Sequence, residues 1–419
     1  MIFEKAPMGW NSWDCYGAAV DEETVRKNAE YMAKNLKEYG WEYVVIDIQW
    51  SSEDAINNEY RPFCELKMDE YGRLLPAENR FPSAKGGKGF KPLSDYIHSL
   101  GLKFGIHIMR GIPRQAVVKD TPVLGTKYTA RDIAKTNSIC AWNTDMYGVD
   151  TKKPGGKEYY DSIFKLYASW GVDFIKCDDI CRELPKEEDE LVAISQSLRN
   201  CGRDMVFSIS PGPAILEKAE LYKEVANMWR ITDDFWDDWK LLYNMFERCE
   251  KWSIHTGNGS YPDADMLPIG AIRQCYDKNN KSAFTNDEVI TMMVLWSVFR
   301  APLMIGAEMT KLDDFNLSLL TNKELLKMHK LSRHAHQVFR RKIDGTEIVL
   351  WMSACKNGGI YVCLFNIGEK KCTYTLKDTD IEMYDELKGI DILTSKNVKF
   401  KGELKVSLPK HSAKAYYFS

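Results

Sequence analysis

The sequence predicts a (β/α)8 TIM barrel followed by a small C-terminal antiparallel β-sandwich, and three observations lead there. Helix, glycine and apolar strand alternate strictly along the first two thirds of the chain. The texture changes near residue 340 to short alternating segments. The 419-residue length exceeds what one hydrophobic core usually serves, so a large domain plus a smaller one is expected.

The repeating unit is clearest at residues 22 to 38, EETVRKNAEYMAKNLKE, where Val25, Ala29, Met32, Ala33 and Leu36 share one helical face and Asp21 is placed to cap the start. Gly40 ends this helix and the apolar run WEYVVID follows. The order returns at LSDYIHSLG–LKFGIHI, SIFKLYASWG–VDFIK and VAISQSLRNCG–DMVFSIS. Strands separated by crossover helices run parallel. APMGW at 6 to 10, NMWRI near 227 and MMVLWSVFRAPLMIG at 292 to 306, the last read as a strand, bring the count near eight. A closed barrel is favoured over an open doubly wound sheet, because no G-x-G-x-x-G follows the first strand. Beyond residue 340, EIVLWMSA, GIYVCLFNI, KCTYTL, KVSL and AKAYYFS read as antiparallel strands. The expected division is 1–335 for the barrel and 336–419 for the sandwich, within the basic stretch at 331 to 343.

Composition excludes several partners. A formal net charge of −3, without long like-charge blocks, gives no footprint for nucleic acid or an anionic membrane surface. No run of about 18 apolar residues and no signal-like N-terminus is present, so a soluble cytoplasmic protein is expected. The 11 cysteines show no repeated metal-site spacing, and reduced, buried thiols are expected. Neither a metal nor a cofactor is implied, and the oligomeric state is not readable.

A barrel places its chemistry at the C-terminal ends of its strands. Those positions carry Trp10, Asn11 and Trp13; Asp47 and Trp50; His107 and Arg110; Lys176, Asp178 and Asp179; Ser208 and Ser210; Arg230, Asp233 and Asp234; and Asp263 and Asp265. One acidic strand end is usually a cap or an ion-pair partner, but many converging on one mouth are not. Carboxylates and tryptophans with few cations suit a sugar: carboxylates accept from vicinal hydroxyls, and Trp covers the apolar face of a pyranose. Two carboxyls across a glycosidic bond can also hydrolyse it. Chemistry alone leaves Asp178 or Asp179, and Asp233 or Asp234, equally eligible.

MGWNSW at 8 to 13, YVVIDIQW at 43 to 50, KFGIHI at 103 to 108, DFIKCD at 173 to 178, WRITDDFWDDW at 229 to 239, PDADML at 262 to 267 and APLMIG at 301 to 306 resemble, in order, the blocks of glycoside hydrolase family 27. That family contains α-galactosidases, α-N-acetylgalactosaminidases and β-L-arabinopyranosidases. The resemblance implies a retaining double displacement, with Asp178 as nucleophile and Asp234 as general acid/base. Lys176 is expected to keep Asp178 ionised, and Phe235 or Trp236 to give Asp234 low-dielectric surroundings. A carboxyl separation of about 5 to 5.5 Å would fit retention. Asp179 is read as a support or rim residue, and Asp237 and Asp238 as caps or salt-bridge partners.

Departures from the family pattern bear on the sugar. Galactose-specific members typically carry two adjacent aspartates after the second strand; here the pair is Asp47 and Ile48. Ile48 cannot bond a 6-hydroxyl, and β-L-arabinopyranose is the galactose ring without its CH2OH. Ser210 stands where galactosidases often carry a glutamate and leaves room at C2, while Arg230 is available for the 2-hydroxyl. His107 replaces a usual tyrosine and is a possible sugar contact; Trp13 matches the family's stacking tryptophan. The resemblance thus implies an exo-acting β-L-arabinopyranosidase with weaker α-D-galactosidase activity. The rivals are a true α-galactosidase, an α-N-acetylgalactosaminidase and a non-catalytic sugar-binding barrel.

Overall fold

Asp21 accepts from the Thr24 amide and caps α1 (Glu22–Asn35), whose Val25, Ala29 and Met32 are fully buried. Gly40 closes the turn after α1 with φ +101°, a left-handed conformation that costs an L side chain energy, and Gly101, Gly171 and Gly202 do the same in the equivalent turns. The sequence rhythm is therefore a true structural repeat. The computed structural model describes residues 4–60, 63–184 and 186–419.

Eight parallel strands form the first sheet: β1 (Met8–Asn11), β2 (Tyr43–Ile46), β3 (Lys103–Met109), β4 (Phe174–Asp178), β5 (Val206–Ile209), β6 (Met228–Arg230), β7 (Tyr261–Asp263) and β8 (Leu303–Ile305). From β1 to β7 each pairs with the next in chain order, and β8 returns to pair with β1. The seam between β7 and β8 is closed by Leu267, whose N–H donates to Met304 O at 2.8 Å and whose O accepts from Gly306 N–H at 3.0 Å. The main crossover helices are α1, α2 (Lys91–Ser99), α3 (Gly156–Ser169), α4 (Glu188–Arg199), α5 (Ala219–Val225), α6 (Trp239–Trp252) and α7 (Asn286–Phe299), with α8 (Lys323–Leu331) following β8. The architecture is a (β/α)8 barrel.

One expected strand is two elements. MMVLWSVF belongs to α7, and only Leu303–Ile305 of the following run is the strand. An apolar helix without a polar face is misread because periodicity cannot separate it from a buried strand. Its uniform apolarity has a cause: α7 is walled by the barrel, by α8 and by the C-terminal sheet.

The C-terminal part is antiparallel. A six-stranded sheet runs in the order β9 (Ser332–Ile343), β10 (Thr346–Cys355), β11 (Ile360–Asn366), β16 (Ser412–Phe418), β13 (Leu387–Asp391), β14 (Asn397–Phe400). A second sheet pairs β12 (Cys372–Lys377) with β15 (Glu403–Leu408). Leu350, Val362 and Leu364 from the first sheet meet Leu376, Val406 and Leu408 from the second in one core. Three further short strands in the β3–β4 connection, Ile112–Pro113, Ala134–Ile139 and Met146–Val149, form a flap beside the barrel mouth. All 11 cysteines are free, and no helix of the described residues is long and apolar enough to cross a membrane.

Candidate active site

The strand ends converge on a cavity of about 270 Å3 at the C-terminal mouth of the barrel. Asp47, Lys176 and Asp178 form its deep end; Asp233 and Asp234 line it from the loop after β6; Trp13, Tyr60 and Trp142 supply aromatic surface. Trp13 and Tyr60 stack with centroids 5.8 Å apart and planes 10° apart, and Trp142 leans on Tyr60 at 5.4 Å. Of the residues expected at the site, Trp13, Asp47, Lys176, Asp178 and Asp234 line the cavity.

At the deep end the charges are paired. Lys176 Nζ donates to Asp47 Oδ2 at 2.8 Å, and Asn11 Nδ2 donates to the same oxygen at 2.8 Å. The Asp47 backbone N–H donates to Ser12 Oγ at 3.0 Å, which fixes the start of the loop. Burial works against the Asp47 carboxylate, but Lys176 and His107 hold its pKa below the ordinary value. Burial also works against the Lys176 ammonium; Asp47 and Asp178 keep it charged, at about 12.

Asp178 ends β4 in the next shell of this network. His107 Nε2 lies 3.1 Å from Asp178 Oδ2, and the Asp179 N–H donates to Asp178 Oδ1 at 3.0 Å. Burial alone would raise the Asp178 carboxyl, yet the His107 hydrogen bond and charge, with Lys176 and Arg230, hold it well below the usual carboxylate range. Lys176 therefore favours the Asp178 carboxylate by its charge, as expected, but its effect ranks after that of His107, because the ammonium itself is bonded to Asp47. His107 itself is 2% exposed and lies behind the carboxylate, not on the sugar-facing surface.

Neighbouring aspartates diverge because successive side chains leave a strand end in opposite directions. Asp179, with φ +59°, turns onto Arg110, whose Nη2 lies 2.9 Å from Asp179 Oδ2. Burial pushes the Asp179 carboxyl up to about 6 even so. Asp233 pairs with Arg182 at 2.8 Å. Asp237 forms an ion pair with Arg273, and Asp238 caps α6 through the Lys240 and Leu241 amides.

Asp234 occupies the mouth. Arg230 Nη1 donates to Asp234 Oδ1 at 3.2 Å and to Asp265 Oδ2 at 2.5 Å. The low-dielectric surroundings expected from Phe235 and Trp236 are absent. Phe235 turns inward onto Trp296, centroids 5.2 Å apart, Trp236 faces Arg273, and the Asp234 side chain is left 57% exposed.

Three other expected sugar contacts lie behind the cavity wall. Arg230 is 4% exposed and sits among Asp178, Asp234, Asp263 and Asp265, which hold its charge firmly against burial. Ser210 is 2% exposed, and its Oγ has no hydrogen-bond partner among the described residues. Ile48 is 3% exposed, in an apolar cluster with Met109, Cys140 and Met146 that packs against Trp13, Tyr60 and Trp142. Sequence reasoning missed Tyr60, Trp142 and Arg182, which come from loops and not from the ends of apolar runs. Their only signal was aromatic and basic residues in unusually long connections on the strand-end side.

A (β/α)8 barrel with an antiparallel sandwich behind it, and a mouth lined by Asp178, Asp234 and aromatic faces, defines a class of glycoside-cleaving enzymes. The profile described as alpha galactosidase A matches residues 5–153 and 144–330, so the chain belongs to that family, glycoside hydrolase family 27, and is a glycoside hydrolase. It is 53% identical to the crystal structure of a GH27 β-L-arabinopyranosidase from Geobacillus stearothermophilus, with a TM-score of 0.96 over 99% of this chain and 96% of that one. An aspartate-to-alanine variant of that enzyme, in complex with arabinose, superposes equally well, at a TM-score of 0.96. The structure of a protein from Bacillus halodurans C-125, provisionally described as an α-N-acetylgalactosaminidase, is 49% identical, with a TM-score of 0.88 over 99% of this chain and 97% of that one. Alpha-galactosidase 2 of Arabidopsis thaliana is 26% identical over 98% of this chain and 88% of its own length.

Proposed function

We infer that the protein is a retaining exo-β-L-arabinopyranosidase with weaker α-D-galactosidase activity, acting through a glycosyl-Asp178 intermediate. The observation that carries the reading is the pairing, at one end of the cavity, of a carboxylate with an apolar wall. Asp47, held by Lys176, offers acceptors to ring hydroxyls, while Ile48 backs the Trp13–Tyr60–Trp142 surface. A pyranose whose C5 carries no CH2OH leaves apolar ring surface against that wall, worth about 25 cal/mol per Å2 buried. A 6-hydroxyl in the same place would lose its hydrogen-bond partner, at about 1 to 3 kcal/mol. The β-L-arabinopyranosidase likeness agrees with this reading.

The two carboxyls have different surroundings, as a double displacement requires. Asp178, 13% exposed and held ionised, suits attack on the anomeric carbon from the deep side. Asp234, at the open end, suits proton transfer to the leaving oxygen and then activation of the water that enters as the aglycone departs. Arg230 orients Asp234 and adds positive charge near Asp178.

The test compares kcat/KM on the p-nitrophenyl glycosides of β-L-arabinopyranose, α-D-galactose and α-N-acetyl-D-galactosamine, with the anomer of the first product read by proton NMR. The arabinoside is expected to be fastest, with β-L-arabinopyranose formed first. A faster galactoside would remove the sugar assignment, and an inverted product would remove the glycosyl-enzyme.

A further inference from the structure

A second cavity, about 500 Å3, lies at the opposite face of the barrel. Helix α7 starts at the catalytic mouth and ends at that far face, where Arg300 follows it in a left-handed conformation, φ +64°. The cavity is bounded by this helix end, by the residues preceding β7, by the start of β9, and by Lys356 from the β10–β11 turn.

Its lining is cationic and hydrogen-bond donating. Arg300, Arg333, His334 and Lys356 surround it, with Ser253 and Thr256 contributing hydroxyls. Arg300 is 5% exposed, yet among the described residues its Nε has no hydrogen-bond partner, and neither has Thr256 Oγ1. An unpartnered donor on a buried cation is costly, which makes this an unusual place to leave one. Burial works against the Arg300 charge and Arg333, a second guanidinium, adds to that, while Tyr261, its ring 5.5 Å away, works the other way; no ion pair links Arg300 to a carboxylate among the described residues. Among the described residues Arg333 donates to the backbone carbonyls of Lys330 and Ser332 and forms no ion pair with a carboxylate. Among the described lining residues Glu4 is the one acid, and Arg300 Nη2 reaches its backbone oxygen at 3.4 Å. The C-terminal dipole of α7 offsets part of one positive charge, not several.

We propose that this cavity is an oxyanion-binding site that accepts a phosphate group, with Arg300, Arg333, Lys356 and Thr256 as its donors. A guanidinium pair with a flexible ammonium is the arrangement that best complements a tetrahedral dianion. The site lies across the barrel from Asp178, so its occupant acts as an effector or stabiliser of the enzyme, not as a substrate.

Isothermal titration of the full chain with inorganic phosphate and with glucose 6-phosphate, at ionic strength matched by chloride, tests it. Saturable binding is expected. The double variant Arg333→Gln/Lys356→Gln, changing two side chains that are not deeply buried, is expected to weaken binding by about tenfold or more while leaving glycosidase kcat/KM unchanged. Tighter binding of glucose 6-phosphate identifies an organic phosphate as the occupant, and equal affinity identifies free phosphate. Absence of saturable heat with both ligands, or unchanged affinity in the double variant, overturns the proposal. An accompanying rise in Tm with ligand, lost in the variant, is expected from the same linkage.

Discussion

His107 Nε2 and Asp178 Oδ2 are 3.1 Å apart, joined across the β3–β4 strand pair whose register sets His107 against Lys176. The family's usual tyrosine at this position would offer a neutral donor; a histidine offers a donor that can also carry charge. With His107→Ala the burial of Asp178 loses its largest compensation, so the carboxyl pKa rises toward and beyond the ordinary value. A nucleophile must be ionised. The acidic limb of the kcat/KM profile is therefore expected to move to higher pH, and kcat/KM at its plateau to fall by about 10- to 100-fold, the value of one hydrogen bond to a charged group. His107→Gln, which keeps a donor, is expected to recover much of the plateau rate. If the alanine variant keeps the wild-type acidic limb, His107 does not set the state of Asp178.

Ile48 tests the sugar assignment. Ile48→Asp replaces the apolar backing of the Trp13–Tyr60–Trp142 wall with a carboxylate next in sequence to Asp47, the residue pair of galactose-specific members, and is expected to shift the ratio of galactoside to arabinoside kcat/KM toward galactoside by about tenfold or more. The ratio is the readout, because an aspartate inside the Met109–Cys140–Met146 cluster also lowers stability. A variant that folds and keeps the wild-type ratio sinks the role assigned to Ile48.

How much was legible beforehand follows from where the information is local. The parallel barrel was legible because each αβ turn needs a left-handed residue, and glycine at 40, 101, 171 and 202 marks it in the chain. The acidic strand ends were legible for the same reason: the residue after an apolar run is visible without knowing the fold. Strand β9 was not, because an edge strand reading SRHAHQVFRRKI buries few of its side chains and looks like a basic linker. Side-chain direction was not legible either. Nothing local says that Asp179 turns to Arg110 while Asp178 faces the cavity, or that Phe235 turns inward beside an exposed Asp234. Those directions come from partners more than 30 residues away, as does the aromatic wall of Tyr60 and Trp142.

The Lys176–Asp47 pair, 2.8 Å apart, is buried, with side chains 11% and 3% exposed. Lys176→Met removes the cation and leaves Asp47 desolvated beside Asp178, an expected loss of about 3 to 5 kcal/mol measured by urea unfolding. Adding Asp47→Asn is expected to restore part of that stability without restoring activity, since the hydroxyl acceptor remains altered. A Lys176→Met protein as stable as wild type contradicts the pairing.

Asp265 supplies the pH dependence of stability. It accepts from Arg230 and from the Phe235 N–H at 2.7 Å. Burial pushes its carboxyl up to about 7; Arg230 pulls the other way, and Asp234 and Asp263 add to the rise. In the unfolded chain the same group titrates near about 3.9. Between these values the folded protein holds a proton that the unfolded chain has released, so stability falls as pH rises, by up to about 1.4 kcal/mol per pH unit for one group. Asp178 and Asp47 are held low and contribute in the opposite sense, but their contribution is lost only as pH falls below about 4. Asp179, raised to about 6, falls in with Asp265 up to that pH and then stops contributing. The window from about 6 to 7 is where Asp265 stands out from these three groups. Chemical-denaturation stabilities of wild type and Asp265→Asn, compared at half-unit steps from pH 4 to 8, are expected to shift in the variant's favour as pH rises to about 7, the variant showing the shallower decline. Parallel curves through pH 7 would mean that Asp265 is already ionised in the folded protein and that its bond with Arg230 outweighs its burial.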